Sequence, residues 1–343
     1  MDQVWKPTGV ASEFRPVSEI ESSSSESVGR AVSKNLWQDL KPRQERINAA
    51  LRSALLRVSQ DSPEPIRDAM AYSLLAPGKR LRPLLVMLTC EAAGGTIEQS
   101  LPAACAVEMV HTYSLIHDDL PAMDDDDLRR GMPTSHKKFG EALAILAGDA
   151  LLTAAFEVLA GGYEPRTAAV SCLELAKGAG AVGMVGGQTL DLQFEGRIKY
   201  TGKQEPSVEV VAPLIERLEE THARKTGALF RSSLRLGVYA AQAERVGGVH
   251  PETLAGADQY AAAFGLAFQV TDDLLDVVST ADKAGKRVGK DAARGKLTYP
   301  RLLGVEESRR KAAELGRKAV VAAEQLGSSL LAELARYVVT REG

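Results

Sequence analysis

The chain has 343 residues, 45% of them apolar, and a formal net charge of −3. That is enough apolar material for a large packed core, and it lacks the basic excess that nucleic acid or an anionic membrane surface selects. Three cysteines, Cys90, Cys105 and Cys172, lie far apart inside apolar stretches, which argues against a disulfide framework or a zinc site and for buried, reduced thiols in a cytoplasmic protein.

Residues 1–35 read as a disordered N-terminal tail, with Ser22 to Ser25 in a row, scattered acidic residues and little to bury. Asp2, Glu13, Glu19, Glu21 and Glu26 count against a transit peptide, and no basic start followed by an apolar run marks a secretory signal. From residue 36 to 343 the pattern predicts one helical domain. Ile47, Leu51, Ala54 and Leu55 fall on one helix face. Similar stripes recur at 65–76, 81–93, 100–118, 139–160, 166–180, 211–241, 251–278, 298–304 and 306–341. Alanine is abundant, β-branched runs are rare, and no alternating segment of strand length stands out. No run of 18 apolar residues marks a membrane span. The prediction is an all-α bundle of ten or more mostly antiparallel helices. Glycine pairs at 94–95, 161–162, 186–187 and 247–248, with Pro77-Gly78, mark its breaks, and 196–213 reads as an exposed loop.

The stretch from Asp118 to Asp127 holds six aspartates in ten positions, after the apolar helical run Val107 to Ile116. Like charges this dense repel, and hard cations relieve them. Mg²⁺ takes oxygen ligands and bridges one or two carboxylates to substrate phosphates, so the cluster suggests a diphosphate site. On a regular helix Asp118 and Asp124 would lie roughly 240° apart, at ~100° per residue. Pro121 lies between them, and a local bulge or kink there could bring both to one side. A second cluster, Asp272, Asp273 and Asp276, sits in an apolar helix, with Asp272 and Asp276 at i and i+4 on one face. A solvated acidic loop and an acidic helix edge are the alternative readings of the two clusters taken singly.

Cations accompany them. Lys79, Arg80 and Arg82 follow the turn at Pro77-Gly78, Arg129 and Arg130 follow the first cluster, and Lys225, Lys286 and Lys296 come later. Arginine grips phosphate oxygens bidentately and lysine holds them as a point charge. Each taken singly reads as an ordinary surface cation. Together with two Mg²⁺-type clusters they could hold two diphosphates.

From about residue 34 onward the chain resembles the trans-prenyl diphosphate synthases, close to the bacterial-type farnesyl and geranylgeranyl enzymes. The matching blocks are Gly78 to Pro83, His111 to Arg130, Gly186-Gly187-Gln188 with Asp191-Leu192, Lys225-Thr226-Gly227 and Gln269 to Asp276. The resemblance implies a helical bundle around a deep central cavity, usually a homodimer. It implies that Asp118, Asp119, Asp124, Asp272, Asp273 and Asp276 bind Mg²⁺, with Mn²⁺ as a substitute. It assigns Arg129, Lys225, Thr226, Gln269 and Lys286 to an allylic diphosphate, and Lys79, Arg82, His111 and Arg130 to isopentenyl diphosphate without metal. Gln188 and Asp191 match positions lining the site, and Lys296 is a further phosphate candidate. The 196–213 segment runs longer than the family pattern and receives no role.

Tyr113 and Ser114 lie five and four positions before Asp118, displaced ~6–7.5 Å along a helix axis. A large Tyr113 could close the floor of a chain-binding cavity, while Ser114 leaves room beside it. The family's fifteen-carbon synthases of bacterial type commonly pair an aromatic residue here with a first motif two residues longer, as this chain does. Its twenty-carbon synthases more often carry a smaller residue. Farnesyl diphosphate is therefore the expected product and geranylgeranyl diphosphate the alternative; a Tyr113 facing the bundle would set nothing. A terpene cyclase, a non-catalytic synthase subunit and a Ca²⁺-binding or scaffold bundle are rival readings. They leave unexplained, respectively, the second cation set, the two intact aspartate motifs and the basic blocks.

Overall fold

The computed structural model describes residues 18–198, 211–282 and 297–341, with side chains for 35–198, 214–277 and 297–341. Helix α1 (Ser18–Ser59) begins inside the stretch read as a tail. No proline falls between Ser18 and Lys41, and serine costs well under about 1 kcal/mol per residue in a helix, so the Ser22–Ser25 run does not stop it. Residues 1–17 lie outside the described residues.

The next helices are α2 (Glu64–Leu74), α3 (Leu81–Ala92) and α4 (Ile97–Asp118). A capping box starts α4: Thr96 Oγ1 accepts from the Gln99 amide and Gln99 Oε1 from the Thr96 amide. A short antiparallel hairpin follows, β1 (Leu128–Arg129) and β2 (Met132–Pro133). The alternation rule missed it because each strand has two residues. Its turn, Arg130 (φ 53°) and Gly131 (φ 77°), carries positive φ at both central positions, the tight hairpin geometry that matches strand twist.

Then come α5 (Ser135–Phe139), α6 (Glu141–Gly162), α7 (Pro165–Ala179) and α8 (Met184–Phe194). The stripe expected over 211–241 is α9 (Val211–His222), a π-helical turn (Ala223–Gly227) and α10 (Ala228–Gln242). Helix α11 (Pro251–Asp282) carries the second aspartate cluster. The chain closes with α12 (Tyr299–Leu303), α13 (Val305–Gln325) and α14 (Ser329–Thr340), so the single stripe expected over 306–341 breaks at Gly327. Apart from the hairpin, the described chain is all-α as predicted.

One core cluster draws side chains from Leu36 in α1 to Val338 in α14. At its centre Phe230 meets Phe264 and Phe268 edge-on, with centroids 5.3 and 5.2 Å apart. Helix α6 and residues Pro165–Phe194 are long and apolar enough to cross a membrane by length and composition alone. In the fold Ala144, Ala147, Leu151, Ala155 and Leu159 of α6 are buried, and α6 packs along α4. Ile145 and Leu146 on its other side remain exposed.

Candidate active site

Helix α4 stops at Asp118, where negative side chains meet the negative end of the helix dipole. The chain then folds back over the helix end. The Asp124 amide donates to the Asp118 carbonyl at 2.7 Å and the Asp126 amide to that of Asp119 at 3.2 Å, with Asp125 at φ 50°. This is the irregularity that a shared face for Asp118 and Asp124 required, produced by ending the helix rather than kinking it.

Cations and an amide offset the crowding. Arg129 donates to both oxygens of Asp119, at 2.6 to 3.0 Å. Gln188 Nε2 on α8 donates to Asp118 Oδ1 at 3.0 Å. Burial first, countered by Lys225 and reinforced by the charge of Asp124, pushes the Asp118 carboxyl up to about 6. Burial also raises Asp119, against the pull of Arg129. Lys225, in the π turn, holds Asp191 of α8 at 2.5 Å. Arg197 donates to the Ala122 carbonyl and lies 3.9 Å from Asp124, so the start of the 196–213 segment does engage the site.

A cleft of about 320 Å³, within the usual size of small-molecule clefts, runs beside these groups. Tyr113, Ser114, His117, Asp118, Gln188, Lys225 and Thr226 are among the residues lining it. Tyr113 is 6% exposed, and its ring meets that of His117 edge-on at 5.7 Å.

A second, basic cleft collects Lys79, Arg82, His111 and Arg130 with Trp37, Tyr337 and Arg341. Arg82 Nη1 lies 3.3 Å from His111 Nε2. A guanidinium only donates, so Nε2 accepts and the ring is neutral there. Burial, then the charge of Arg82, agrees by holding the His111 pKa well below its ordinary value. Burial lowers Arg82 itself to about 10, with Glu108 pulling the other way; its guanidinium lies 4.6 Å over the Phe230 ring. Lys79 Nζ donates to Tyr337 Oη at 2.9 Å. Arg130 donates to the Pro77 carbonyl at 2.8 Å. The hairpin turn therefore sends Arg129 to the aspartates and Arg130 to the basic cleft.

Sequence reading missed Trp37, Tyr337 and Arg341, which converge from the two ends of the chain. Arg341 donates to Asp272 and to the Phe268 carbonyl and lies 4.1 Å over the Phe268 ring. Arg80, the third cation after the Pro77-Gly78 turn, is only 5% exposed and is spent on Glu108, at 2.7 Å in the wall of the cleft.

The second cluster divides. The Asp272 side chain is 44% exposed and faces Arg341. Asp273 is 7% exposed; it accepts from the Tyr299 amide at 2.9 Å and lies 3.7 Å from His222. Asp276 lies one turn beyond Asp272, and Gln269 is half-buried three residues before it. Lys286 and Lys296 lie outside the described residues.

Among the described residues no three His, Cys, Asp or Glu side chains already stand together as a metal-ligand set. Carboxylates without a cation to share take arginine, amide or lysine partners instead of facing one another. The donor chemistry still suits Mg²⁺, which needs one or two carboxylates and completes its shell with water and phosphate oxygens. The raised Asp118 carboxyl, crowded by Asp124, is a position where a divalent cation removes an existing cost.

Arg82 and His111 line both clefts, so the aspartate-lined and the basic site adjoin across two side chains. The molecule is thus an all-α bundle in which an aspartate-lined and a cationic cleft meet. The family model described as Polyprenyl synthetase matches residues 63–331. Geranylgeranyl pyrophosphate synthase 11, chloroplastic, of Arabidopsis thaliana is 46% identical over 301 residues, 84% of this chain and 79% of that protein. Farnesyl diphosphate synthase of Escherichia coli K12 is 46% identical over 286 residues, 81% and 89% of the two chains. The crystal structure of an FPP/GFPP synthase from Zymomonas mobilis superposes with a TM-score of 0.71 at 33% identity, covering 89% of this chain and 97% of that one. The chain belongs to the polyprenyl synthetase family and is a prenyltransferase.

Proposed function

We propose that this protein condenses isopentenyl diphosphate head to tail with allylic diphosphates, dimethylallyl and geranyl, to give mainly farnesyl diphosphate and free diphosphate. The observation that carries the reading is the sharing of Arg82 and His111 between the two clefts. A bundle that only ionised one allylic diphosphate would have no use for the second, cationic cleft.

In this reading Asp118, Asp119, Asp124, Asp272, Asp273 and Asp276 hold the metal on the allylic diphosphate, with Arg129, Lys225, Thr226, Gln269 and Lys286 around it. Gln188 and Asp191 hold Asp118 and Lys225 in place. Lys79, Arg82, His111 and Arg130, joined by Arg341, hold isopentenyl diphosphate. Mg²⁺, or Mn²⁺ in its place, supplies charge neutralisation for the departing diphosphate. The C1–O bond of the allylic substrate breaks with its electron pair leaving on diphosphate. The isopentenyl double bond then attacks C1, and loss of a proton from the adduct to the released diphosphate restores a double bond. Lys225 and Arg129 stabilise the growing negative charge.

Tyr113, buried in the aspartate-lined cleft below Asp118, supports a fifteen-carbon limit. The name of the Arabidopsis relative favours a second reading, geranylgeranyl diphosphate, and Ser114 beside Tyr113 leaves room for it. We further propose a homodimer in the cytoplasm, where the buried thiols of Cys90 and Cys105 stay reduced.

Incubating the full chain with labelled isopentenyl diphosphate, dimethylallyl diphosphate and Mg²⁺, then sizing the products, tests the activity. Asp118→Ala and Asp272→Ala should each lower condensation by about a hundredfold or more with Mg²⁺ saturating, the scale of losing one preorganised electrostatic group. Undiminished condensation in either variant sinks the proposal.

A further inference from the structure

His117 immediately precedes the first aspartate motif, and no part of the proposed chemistry uses it. Its surroundings are specific. It lies one turn beyond Tyr113 on the same face of α4, and the two rings meet edge-on at 80° with centroids 5.7 Å apart. His117 Nε2 lies 3.1 Å from the Ile145 carbonyl oxygen of α6. A carbonyl only accepts, so Nε2 carries the proton and donates. That carbonyl belongs to an α-helix whose own ladder already uses it, so the imidazole makes a second bond to it. The Asp149 carboxylate stands 3.9 Å from the same nitrogen.

The ring fits where it does because α6 has a glycine opposite it. A Cβ on Gly148 would stand 2.1 Å from His117 Nε2, 2.5 Å from Cδ2 and 2.9 Å from Cε1. Any side chain at position 148 would occupy the place of the imidazole. His117 is therefore keyed into a slot between α4 and α6, and both His117 and Tyr113 line the cleft that descends from Asp118.

We infer that His117, seated against Gly148 and tied to the Ile145 carbonyl, is a positioning residue that holds the Tyr113 ring across the cleft and so sets product length. The inference rests on the proposed condensing activity and adds to it the device that keeps the floor in place. On helix α4 the Tyr113 χ1 has one other common staggered well. Without the imidazole, the side toward α6 is open and the ring can swing out of the path of the growing chain. Among the described residues the Tyr113 hydroxyl has no hydrogen-bond partner, so it does not fix the ring.

The test is the product profile of the full-length protein with dimethylallyl and isopentenyl diphosphates and Mg²⁺, measured for wild type, Tyr113→Ala, His117→Ala, His117→Gln and Gly148→Ala. We expect His117→Ala to shift the ratio of longer to normal products by about tenfold or more, a change of roughly 1.4 kcal/mol between elongation and release. His117→Gln keeps an N–H for the Ile145 carbonyl and should give an intermediate profile. Gly148→Ala should change the profile by expelling the ring, with Tm recorded to show that the bundle remains folded. If wild type makes no prenyl diphosphate, the functional proposal fails first. If Tyr113→Ala lengthens products while His117→Ala and Gly148→Ala keep the wild-type profile, the positioning role is wrong though the activity stands. If Tyr113→Ala itself changes nothing, Tyr113 is no floor and the inference falls with it.

Discussion

Gly187 of α8 lies so close to the π turn that a Cβ on it would stand 2.1 Å from the Lys225 amide nitrogen and 2.5 Å from its Cα. The obstacle is backbone, which cannot swing aside. This contact sets the spacing between two elements that each carry site residues, Gln188 and Asp191 on one and Lys225 and Thr226 on the other. Gly187→Ala should force the elements apart, loosening the Gln188–Asp118 and Lys225–Asp191 hydrogen bonds together. Overpacking of this kind costs about 1–3 kcal/mol, visible as a lower Tm. The rate of condensation should fall by about tenfold or more, and a variant with wild-type turnover would show that this spacing is not needed.

That contact also explains what could be read from the chain and what could not. The long apolar helices α4 and α11, both aspartate clusters and the first cation block follow from periodicity and charge. Helix α8 does not, because Gly183, Gly186 and Gly187 look like a break when seen along the chain; in space Gly187 is where a second backbone approaches. The π turn has no residue signature, since it is an extra residue absorbed within a continuous helical stripe. The basic cleft was half legible: Lys79, Arg82 and Arg130 stand out as charges along the chain, and only the family resemblance grouped them with His111. Tyr337 meets Lys79 from 258 positions away, and no local pattern encodes that pairing. The two roles of Asp272 and Asp273 were equally hidden, since helical spacing does not say which side chain finds a backbone amide.

Arg80 begins α3 in the left-handed conformation, φ 52°. Its guanidinium bonds Glu108 at 2.7 Å, Asn48 at 3.0 Å and the Ala76 carbonyl at 2.8 Å. One buried cation thus ties α1, α4 and the turn that presents Lys79 and Arg82. Glu108→Gln leaves that charge without its counterion, which costs about 3–5 kcal/mol for a buried pair. The Tm should fall, and the KM for isopentenyl diphosphate should rise more than the KM for the allylic substrate. An Arg80→Met/Glu108→Leu double variant should regain much of the stability but keep the raised isopentenyl KM. Equal changes in both KM values would rule out a specific effect on the basic cleft.

Asp258 of α11 joins that helix to α10. Burial pushes its carboxyl up, but hydrogen bonds from Arg235, at 2.5 and 2.7 Å, and Arg231, at 3.0 Å, outweigh it and hold the pKa below its ordinary value. The sign of the linkage follows. A carboxyl depressed in the folded state contributes stability above its unfolded pKa of about 3.9, and that contribution disappears as pH falls through the lower folded value. Asp258→Asn should therefore destabilise the protein by about 1 kcal/mol at pH 7. The gap to wild type should close in acid. Chemical denaturation at pH 7 and at pH 3 measures both, and a gap that widened in acid would contradict the assignment.

Asp272 and Asp273 are adjacent, yet their side chains go to different work. Asp273 is 7% exposed and accepts the Tyr299 amide, anchoring the start of α12, while the His222 and Tyr299 rings stack at 5.8 Å beside it. Asp272 turns to Arg341 at the edge of the basic cleft. Asparagine can still accept the Tyr299 amide with its carbonyl oxygen, so Asp273→Asn tests charge while Asp273→Ala tests the anchor. If Asp273 serves the fold first, Asp273→Ala should lower Tm by several degrees, as about 1–3 kcal/mol of lost buried hydrogen bonding implies. Asp273→Asn should hold most of that Tm. Asp272→Asn should leave Tm nearly unchanged, because its partner Arg341 keeps its hydrogen bond to the Phe268 carbonyl, and should instead raise the Mg²⁺ concentration needed for half-maximal activity. Should Asp273→Asn raise that concentration as much as Asp272→Asn does, the buried carboxylate must swing out to the metal, and the Tyr299 amide would have to be released in each turnover.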